Sequence, residues 1–92
     1  MPKLTVSQIK QRLAAIPEWN RKAAVISRTY QFSDFLAAVG FVNRVARLAE
    51  QANHHPDIDI RWDKVTLALT THDQGGLTGK DFDLARQCDR LL

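Results

Sequence analysis

The sequence predicts an α+β fold in which helices pack on one face of an antiparallel sheet. Three observations support it: three segments have helical periodicity, a β-rich stretch follows the first, and apolar and polar residues alternate strictly before the last. The order helix, strands, helix, hairpin, helix has its simplest solution in this two-layer arrangement. The 92 residues contain no repeat or linker, so we expect a single domain spanning residues 1–92.

The first helix is predicted to begin after a cap at Thr5. Thr5 and Gln8 form a capping-box pattern, in which each side chain accepts a hydrogen bond from the backbone of the other. The helix should stop before Pro17, and its predicted apolar face comprises Val6, Ile9, Leu13 and Ile16. The β-branched and aromatic residues between Trp19 and Phe32 then predict one or two strands.

The second helix is predicted to be capped by Ser33 and to end near Asn53, because Pro56 forces His55 out of helical geometry. Its predicted apolar stripe comprises Phe35, Val39, Val42, Ala46 and Ala49. The third helix should be capped by Thr78 and carry an acidic residue in its first turn. Its predicted buried face comprises Phe82, Ala85, Cys88 and Leu92.

Strict alternation between the second and third helices predicts a β-hairpin with one buried face. We expect its turn at Asp63 and Lys64, because every apolar residue then lies opposite another one. The predicted pairs are Trp62 with Val65, Ile60 with Leu67, and Ile58 with Leu69.

All three histidines of the chain, His54, His55 and His72, lie at the open end of this hairpin. Extending the predicted register places His72 opposite His55, so two distant segments become neighbours. Imidazole has an ordinary pKa of ~6.5 and can both donate and accept protons near neutral pH. Several imidazoles in one pocket could supply the acid and the base for an elimination.

The histidines have two other interpretations besides acid–base catalysis. A His-His-Pro segment at a helix exit can be an inert terminating loop, and imidazole is also a ligand for zinc or copper. Adjacent histidines usually point apart, and the chain has no helical His-x-x-x-His pair. The convergence of three histidines favours catalysis, and we expect no metal.

Composition and charge argue against a nucleic-acid-binding or membrane protein. The net charge is +3, and the basic residues are scattered among acidic ones. The longest near-apolar run, residues 35–42, is too short to cross a bilayer. The N-terminus lacks the apolar stretch of a secretory signal, and one cysteine cannot form an intrachain disulfide. We therefore expect a cytoplasmic protein.

The residues around the histidines form a more specific pattern. Three residues separate Glu50 from His54-His55-Pro56, and Trp62 follows six residues on, His72 ten after that and Asp81 nine later. In this pattern the sequence resembles the pterin-4a-carbinolamine dehydratase family, and the similarity extends over nearly the whole chain. Trp19 also falls where that family often has a tryptophan before its first strand.

The resemblance implies a four-stranded antiparallel sheet with three helices packed on one face, assembled as homodimers or homotetramers. It also implies a reaction, the removal of water from a 4a-hydroxytetrahydropterin to give the quinonoid dihydropterin. This reaction recycles the pterin of aromatic amino-acid hydroxylases and requires no metal or organic cofactor.

The resemblance makes His54 and His72 the acid–base pair, with the assignment of acid and base left open, and makes His55 a residue that helps to bind and orient the pterin. The implied substrate contacts are Asn53, His54, His55, Thr70, Thr71, His72 and Asp73. Many relatives have an aspartate at the position of Asn53. Asparagine keeps an acceptor oxygen but lacks the negative charge. The implied supporting residues are Glu50, Pro56, Asp81 and Trp19.

Several of these residues also have a structural interpretation. Asp81 either stabilises the start of the third helix or supports the site. Glu50 is either an exposed helix residue or orients His54, and Trp19 packs either in the core or against the pocket. The alternation of Trp62 with neighbouring apolar residues favours core packing.

The resemblance leaves two alternatives to this enzyme. One is a non-catalytic pterin-binding or protein-interaction module, because animal relatives act as dimerisation partners of a homeodomain transcription factor. The other is a relative that serves molybdopterin metabolism. Three intact histidines favour the dehydratase, since an interaction module has no need of them.

Overall fold

A computed structural model describes residues 2–92 as three α-helices and four β-strands. In chain order these are α1 (Val6–Ala14), β1 (Asn20–Lys22), β2 (Val25–Gln31), α2 (Phe35–Ala52), β3 (Asp57–Arg61), β4 (Lys64–Leu69) and α3 (Gly79–Asp89), with a 3-10 turn at His72–Gln74. The strands form one antiparallel sheet in the order β1-β2-β4-β3. This confirms the α+β class with a four-stranded sheet and three helices.

Capping boxes fix the start of α1 and of α3. Thr5 and Gln8 exchange the predicted pair of hydrogen bonds at the start of α1. Thr78 and Asp81 form the same arrangement at the start of α3, where the Asp81 carboxylate accepts a hydrogen bond from the Thr78 amide at 2.9 Å. Both starts agree with the sequence-based prediction.

The ends of α2 are set by Asp34 and Asn53. Ser33 was the predicted N-cap, but the Asp34 carboxylate accepts the hydrogen bond, from the Ala37 amide at 2.8 Å. A carboxylate caps as well as a hydroxyl and also interacts favourably with the positive end of the helix dipole. At the other end Asn53 takes up the left-handed conformation with φ of 48° and stops the helix where predicted.

The core lies between the sheet and the helices. Strands β2 and β4 bury Ile26, Tyr30, Val65, Leu67 and Leu69, and α2 buries Ala38, Phe41, Val45 and Ala49. Apart from Ala49, the stripe predicted for α2 therefore lies beside the buried one, and Phe35 is exposed. The reason is the ring of Phe41, which packs against Tyr30 and Phe32 at centroid distances of 4.6 and 5.0 Å. This aromatic contact sets the rotation of α2.

Helices α1 and α3 complete the core with two departures from prediction. Ile9 and Ile16 are buried as expected, whereas Val6 in the first turn of α1 is exposed. In α3 the buried hydrophobic residues are Phe82, Leu84, Ala85 and Cys88. Leu92 is exposed because α3 ends at Asp89, so the last residues no longer follow the helical period.

The hairpin forms as predicted, but its turn lies one residue earlier. Ile60 pairs with Val65 and Ile58 with Leu67, so the turn residues are Trp62 and Asp63. Trp62 has a φ of 56° and is 71% exposed, and the predicted core position for it is wrong. The two-residue shift in register leaves the side chains within β3 and β4 on their predicted faces, because the strand period is two.

The turn is held in place by contacts that the hairpin sequence alone does not contain. The Asp63 carbonyl accepts a hydrogen bond from the Phe32 amide at 2.8 Å, and its carboxylate accepts one from Gln31 at 3.3 Å. Desolvation raises the pKa of Asp63, but the hydrogen bonds from Gln31 and Lys64 and the charge of Lys64 outweigh it and hold that pKa below its ordinary value. Asp63 is thus fixed at the corner between β2 and β4.

Strand β3 forms one edge of the sheet, and all its residues are exposed. Its charged residues alternate with Ile58 and Ile60, which lie on the helix side but remain more than a third exposed. None of the helices within residues 2–92 combines the length and the apolarity needed to cross a bilayer.

Candidate functional site

The most tightly held histidine is His54, just beyond the end of α2. Its Nε2 lies 2.5 Å from Oδ1 of Asp81 in the first turn of α3, and its side chain is only 11% exposed. Asp81 itself is completely buried. The contact joins the exit of one helix to the entry of another and places an imidazole beside a buried carboxylate.

The second oxygen of Asp81 accepts two further hydrogen bonds. Thr71 Oγ1 and the Thr78 amide each lie 2.9 Å from Oδ2. The Thr71 and Thr78 hydroxyls are 3.0 Å apart, and Thr78 Oγ1 also accepts a hydrogen bond from the Lys80 amide. The Thr71 proton is needed by Asp81, so the Thr78 hydroxyl donates to Thr71 and Thr71 donates to the carboxylate. We call Asp81 and its donors His54, Thr71 and Thr78 the Asp81 cluster.

The Asp81 cluster determines the protonation pattern of His54. A carboxylate oxygen can only accept a hydrogen bond, so Nε2 carries a proton and Nδ1 is left to accept or to hold a second one. If Nδ1 takes up a proton, the nearby negative charge stabilises the imidazolium that forms. The arrangement therefore suits a residue that accepts a proton during a reaction.

The second histidine, His55, has a different partner. Its Nε2 lies 2.5 Å from Oε2 of Glu50 on the last turn of α2, and both side chains are largely exposed. Of the two interpretations of Glu50, the exposed helix position is the one observed, since its side chain is 77% exposed and contacts His55, not His54. Asn53 ends α2 in a left-handed conformation, and the chain then turns so that the two adjacent imidazoles face different carboxylates.

The third histidine, His72, opens the 3-10 turn that follows β4 and is exposed. It comes directly after Thr71, which is buried and hydrogen-bonded to Asp81. Two hydrogen bonds, through Thr71 and Asp81, thus connect the segment of His72 to His54. Among the salt bridges of residues 2–92, none involves His72.

The remaining residues expected at the site lie close along the chain but differ in exposure. The Thr70 hydroxyl donates to the Ala24 carbonyl at 2.6 Å and so ties β4 to the turn between β1 and β2. Asp73 is exposed in the 3-10 turn, and the half-buried Pro56 leads into β3. Substrate contacts by these residues stay predictions.

Trp19 is not brought to the histidines. It is buried, and its indole N–H donates to Asp89, the last residue of α3, at 3.0 Å. Asp81 and Asp89 are eight positions apart on α3, which corresponds to about 12 Å along the helix axis. Of the two interpretations of Trp19, core packing is the one that the structure bears out.

Sequence reasoning missed two parts of this arrangement. Thr78 was expected only as a helix cap, but its amide and hydroxyl also support Asp81. The spacing of Thr78 and Asp81 is a capping-box signal, and it could have shown that the carboxylate is held at the helix start. The second omission is the set of donors to Asp89, which are Trp19, Arg28 and Tyr30.

No group of three or more His, Cys, Asp or Glu side chains within residues 2–92 is arranged to hold a metal ion. The donors that could serve as ligands are instead divided between the His54–Asp81 and Glu50–His55 pairs. What the site offers is therefore imidazole, carboxylate and hydroxyl groups suited to moving protons.

Comparison with known proteins finds close relatives of this chain. A protein of Acidobacterium capsulatum is 55% identical over 92 residues, which is all of both chains, and one of Roseiflexus castenholzii is 55% identical over 97% of this chain and 96% of its own. Both carry the provisional name pterin-4-alpha-carbinolamine dehydratase.

Two solved structures share the fold. The transcriptional coactivator/pterin dehydratase from Brucella melitensis superposes with a TM-score of 0.93 at 32% identity and 97% coverage of each chain. A pterin dehydratase-like RuBisCO assembly factor of the alpha-carboxysome superposes with a TM-score of 0.65 over 79% of this chain and 84% of its own, at 20% identity.

The family model for pterin 4 alpha carbinolamine dehydratase matches residues 2–91. The match covers α1 to α3 and with them both histidine segments and the Asp81 cluster. Together with full-length relatives at 55% identity, it establishes that this chain belongs to the pterin-4a-carbinolamine dehydratase family.

Proposed function

We propose that this protein removes water from a 4a-hydroxytetrahydropterin to give the quinonoid dihydropterin. The observation that carries the proposal is the link from His54 through Asp81 to Thr71, beside His72. This link holds one imidazole firmly and keeps a second on the adjoining segment. Family membership supplies the substrate class, and the paired histidine segments supply groups that fit its chemistry.

The reaction needs one proton removed and one delivered. N5 of the pterin loses its proton as the N5–C4a double bond forms, and the C4a–O bond breaks with the electron pair leaving on oxygen. The departing hydroxyl takes up a proton and leaves as water. A base near N5 and an acid near the hydroxyl thus balance the step, and each such group typically contributes ~10²–10⁴-fold.

We assign the base to His54 and the acid to His72. His54 has its Nε2 proton committed to Asp81, so Nδ1 is the nitrogen that can take the proton from N5. The Asp81 carboxylate then stabilises the imidazolium, which is the role of the buried carboxylate in other Asp–His pairs. His72 is exposed and forms no salt bridge within residues 2–92, so it can exchange its proton with water between turnovers.

His55 contributes to binding in this proposal. Glu50 accepts a hydrogen bond from its Nε2, which orients the ring and leaves Nδ1 free for a polar edge of the pterin. Asn53, Thr70 and Asp73 lie on the same two segments and complete the proposed contact surface.

The decay of a freshly generated 4a-hydroxytetrahydropterin, followed by ultraviolet absorbance, tests the proposal. The wild-type protein should accelerate the decay over buffer, and His54→Ala and His72→Ala should each lower kcat by about 10²-fold or more while circular dichroism stays unchanged. His55→Ala should raise KM more than it lowers kcat. A wild-type protein that matches the buffer rate would exclude the dehydratase function, and active His54→Ala and His72→Ala variants would exclude the assigned roles.

An interaction function is the second candidate, and the same assay separates it from the first. The Brucella melitensis relative is named a transcriptional coactivator as well as a pterin dehydratase, and β3 offers an exposed surface on this chain. A non-catalytic pterin-binding or coactivator-like module, or a relative serving molybdopterin metabolism, would leave the 4a-hydroxypterin decay at the buffer rate.

We also propose that the chain forms a homodimer, or a homotetramer built from it, through β3. An edge strand exposes free N–H and C=O groups that can pair with another strand. If two copies pair antiparallel with Ile60 opposite Ile60, Asp59 of each lies opposite Arg61 of the other and Ile58 lies near Trp62. Ile60→Lys should lower the mass measured by sedimentation, and an unchanged mass would place the interface elsewhere.

The cellular setting follows from the reaction. A dehydratase of this kind would return pterin to an aromatic amino-acid hydroxylase, and we propose such an enzyme as its functional partner. The single cysteine, Cys88, is a buried free thiol, which fits the reducing environment of the cytoplasm. A strain lacking this chain should accumulate 4a-hydroxypterin rearrangement products when the hydroxylase is active, and their absence would argue against the link.

A further inference from the structure

A groove beside the 3-10 turn is lined by charged side chains that have no role in the proposed dehydration step. It has a volume of about 200 Å³ and lies between the N-terminal segment, the β1–β2 turn and the loop before α3. Its floor is apolar, formed by Leu4, Ile9 and Leu77, and its polar side chains are Lys3 and Arg21. We call it the Lys3–Arg21 groove.

The charge of this groove is entirely positive. No acidic side chain in the described part of the chain lines it, and neither Lys3 nor Arg21 forms a salt bridge there. The Arg21 Nε donates to the Ala23 carbonyl at 2.9 Å, which fixes the guanidinium by one N–H and leaves its terminal nitrogens free to bind. Two cations over an apolar floor fit an anion carried on a short carbon chain.

Gly76 allows Lys3 to lie across the groove wall. A Cβ atom at position 76 would be only 2.7 Å from Cδ of Lys3, so any other residue would displace that side chain. The backbone around Lys3 is also fixed, because the Leu4 amide donates to the Leu77 carbonyl at 2.8 Å. The aliphatic part of the Lys3 side chain thus lies against the loop at Gly76, at the wall of the groove.

The same loop connects the groove to the histidine site. Gly76 forms an isolated β-bridge with Thr71, a member of the Asp81 cluster, so the two residues are directly opposite each other. The Gly75 amide donates to the carbonyl of His72 at 3.0 Å. Gly75 and Gly76, which line one wall of the groove, therefore belong to the same short loop as the proposed acid, His72.

The size of the groove decides what it could hold. Sites that enclose a whole ligand usually measure ~300–1,000 Å³, so about 200 Å³ suits only part of one. A bicyclic pterin with its substituent would need the histidine site for the ring and a second space for the substituent.

We propose that the Lys3–Arg21 groove binds an anionic substituent, a phosphate or a carboxylate, on the side chain of the pterin substrate. This inference rests on the proposed function, because it takes the ring to lie at the histidines. It assigns a substrate class to the enzyme: reduced pterins whose side chain ends in a negative charge are preferred over those with a neutral side chain.

The test compares two fluorescent pterins with the same ring and side chain, neopterin and its 3′-phosphate, by titration at low salt. Two added ion pairs should make the phosphate ester bind about tenfold more tightly, with the preference lost at high salt. The double variant Lys3→Met, Arg21→Met should lower the affinity of the ester to that of neopterin. Gly76→Ala should reduce the preference partly, because it displaces only Lys3.

A matched control is the double variant Lys10→Met, Arg90→Met, which removes the same charge from exposed positions outside the groove. It should keep the preference for the ester. Equal affinities of the two pterins for the wild type, or an unchanged preference after loss of Lys3 and Arg21, would overturn the inference.

Two further outcomes separate this inference from the proposed function. Inorganic phosphate that binds as tightly as the ester and depends on Lys3 and Arg21 would show an independent anion site and overturn the assignment to the pterin side chain. A folded wild type that binds neither pterin and does not accelerate decay of a 4a-hydroxypterin would instead refute the proposed function itself.

Discussion

The two ends of α3 each present a carboxylate that accepts hydrogen bonds from three other residues, but the donors differ. At the N-terminal end the donors to Asp81 are His54, Thr71 and Thr78. At the C-terminal end the donors to Asp89 are Trp19, Arg28 and Tyr30. Asp81 is completely buried, whereas the Asp89 side chain is 24% exposed.

The difference lies in the cation. Arg28 is charged at every accessible pH and lies 2.9 Å from Asp89, which offsets the unfavourable position of a carboxylate at the negative end of a helix dipole. His54 is charged only when protonated, and Asp81 already lies at the favourable end of the helix. A permanent cation makes the Asp89 end a structural contact, while a titratable one leaves the Asp81 end able to exchange protons.

The largest effect that distinguishes the two ends is expected from Asp81→Asn. An amide cannot stabilise an imidazolium as a carboxylate does, and a hydrogen bond to a charged group contributes ~1.5–3 kcal/mol, so kcat should fall by about 10- to 100-fold. Steady-state rates on a 4a-hydroxypterin measure this. Asp83→Asn, an exposed carboxylate on the same helix, is the matched control and should leave kcat within about twofold of wild type. A wild-type kcat in Asp81→Asn would remove Asp81 from the mechanism.

Asp89→Asn should have the opposite effect, with lower stability and a nearly unchanged kcat. It weakens the contacts to Arg28, Tyr30 and Trp19, so the free energy of unfolding in urea should fall by about 1.5–3 kcal/mol. The kcat of the folded fraction should stay within about twofold of wild type, because Asp89 lies about 12 Å along α3 from Asp81. A loss of kcat as large as that in Asp81→Asn would show that the two ends are not separate.

The smallest effect concerns Tyr30, the only tyrosine of the chain. Burial raises the pKa of its phenol far above the ordinary value of about 10, and the hydrogen bond to Asp89 and the charge of that carboxylate add to the shift. The phenol therefore stabilises the fold fully below pH ~10, and this stabilisation is lost as the pH rises above that value. Phenolate absorbance should appear only when circular dichroism reports unfolding.

Tyr30→Phe provides the control for this titration. It should abolish the absorbance change and lower the free energy of unfolding by only about 1 kcal/mol, since the ring still packs and Asp89 keeps two donors. Phenolate absorbance that rises near pH 10 in the folded wild type would contradict the contact with Asp89.

Much of the fold could be predicted because the signals are local. Capping boxes at Thr5 and Thr78 depend on residues three positions apart, and the hairpin depends on a period of two. The turn lies one residue earlier than predicted because Asp63 is held by Gln31 and Phe32, at the end of β2. The rotation of α2 depends likewise on the rings of Tyr30 and Phe32, outside the helix, so the periodicity of the helix alone cannot predict it.

The site shows the same limit. The sequence was enough to predict that the histidine segments lie at one end of the sheet. It was not enough to predict which carboxylate each imidazole contacts. Glu50 is one helical turn from His54 along the chain, yet it bonds to His55, because the left-handed Asn53 turns the backbone after α2. His54 takes its partner from α3, across a contact that only the packed helices create.

The capping box of α3 has a consequence for how the site could be observed. The Thr78 amide can exchange its proton with solvent only after it separates from the Asp81 carboxylate. That separation also opens the capping box at the first turn of α3 and removes one of the donors that hold the Asp81 carboxylate beside His54. The deuterium uptake of this one amide would therefore measure how often the native protein opens the Asp81 cluster.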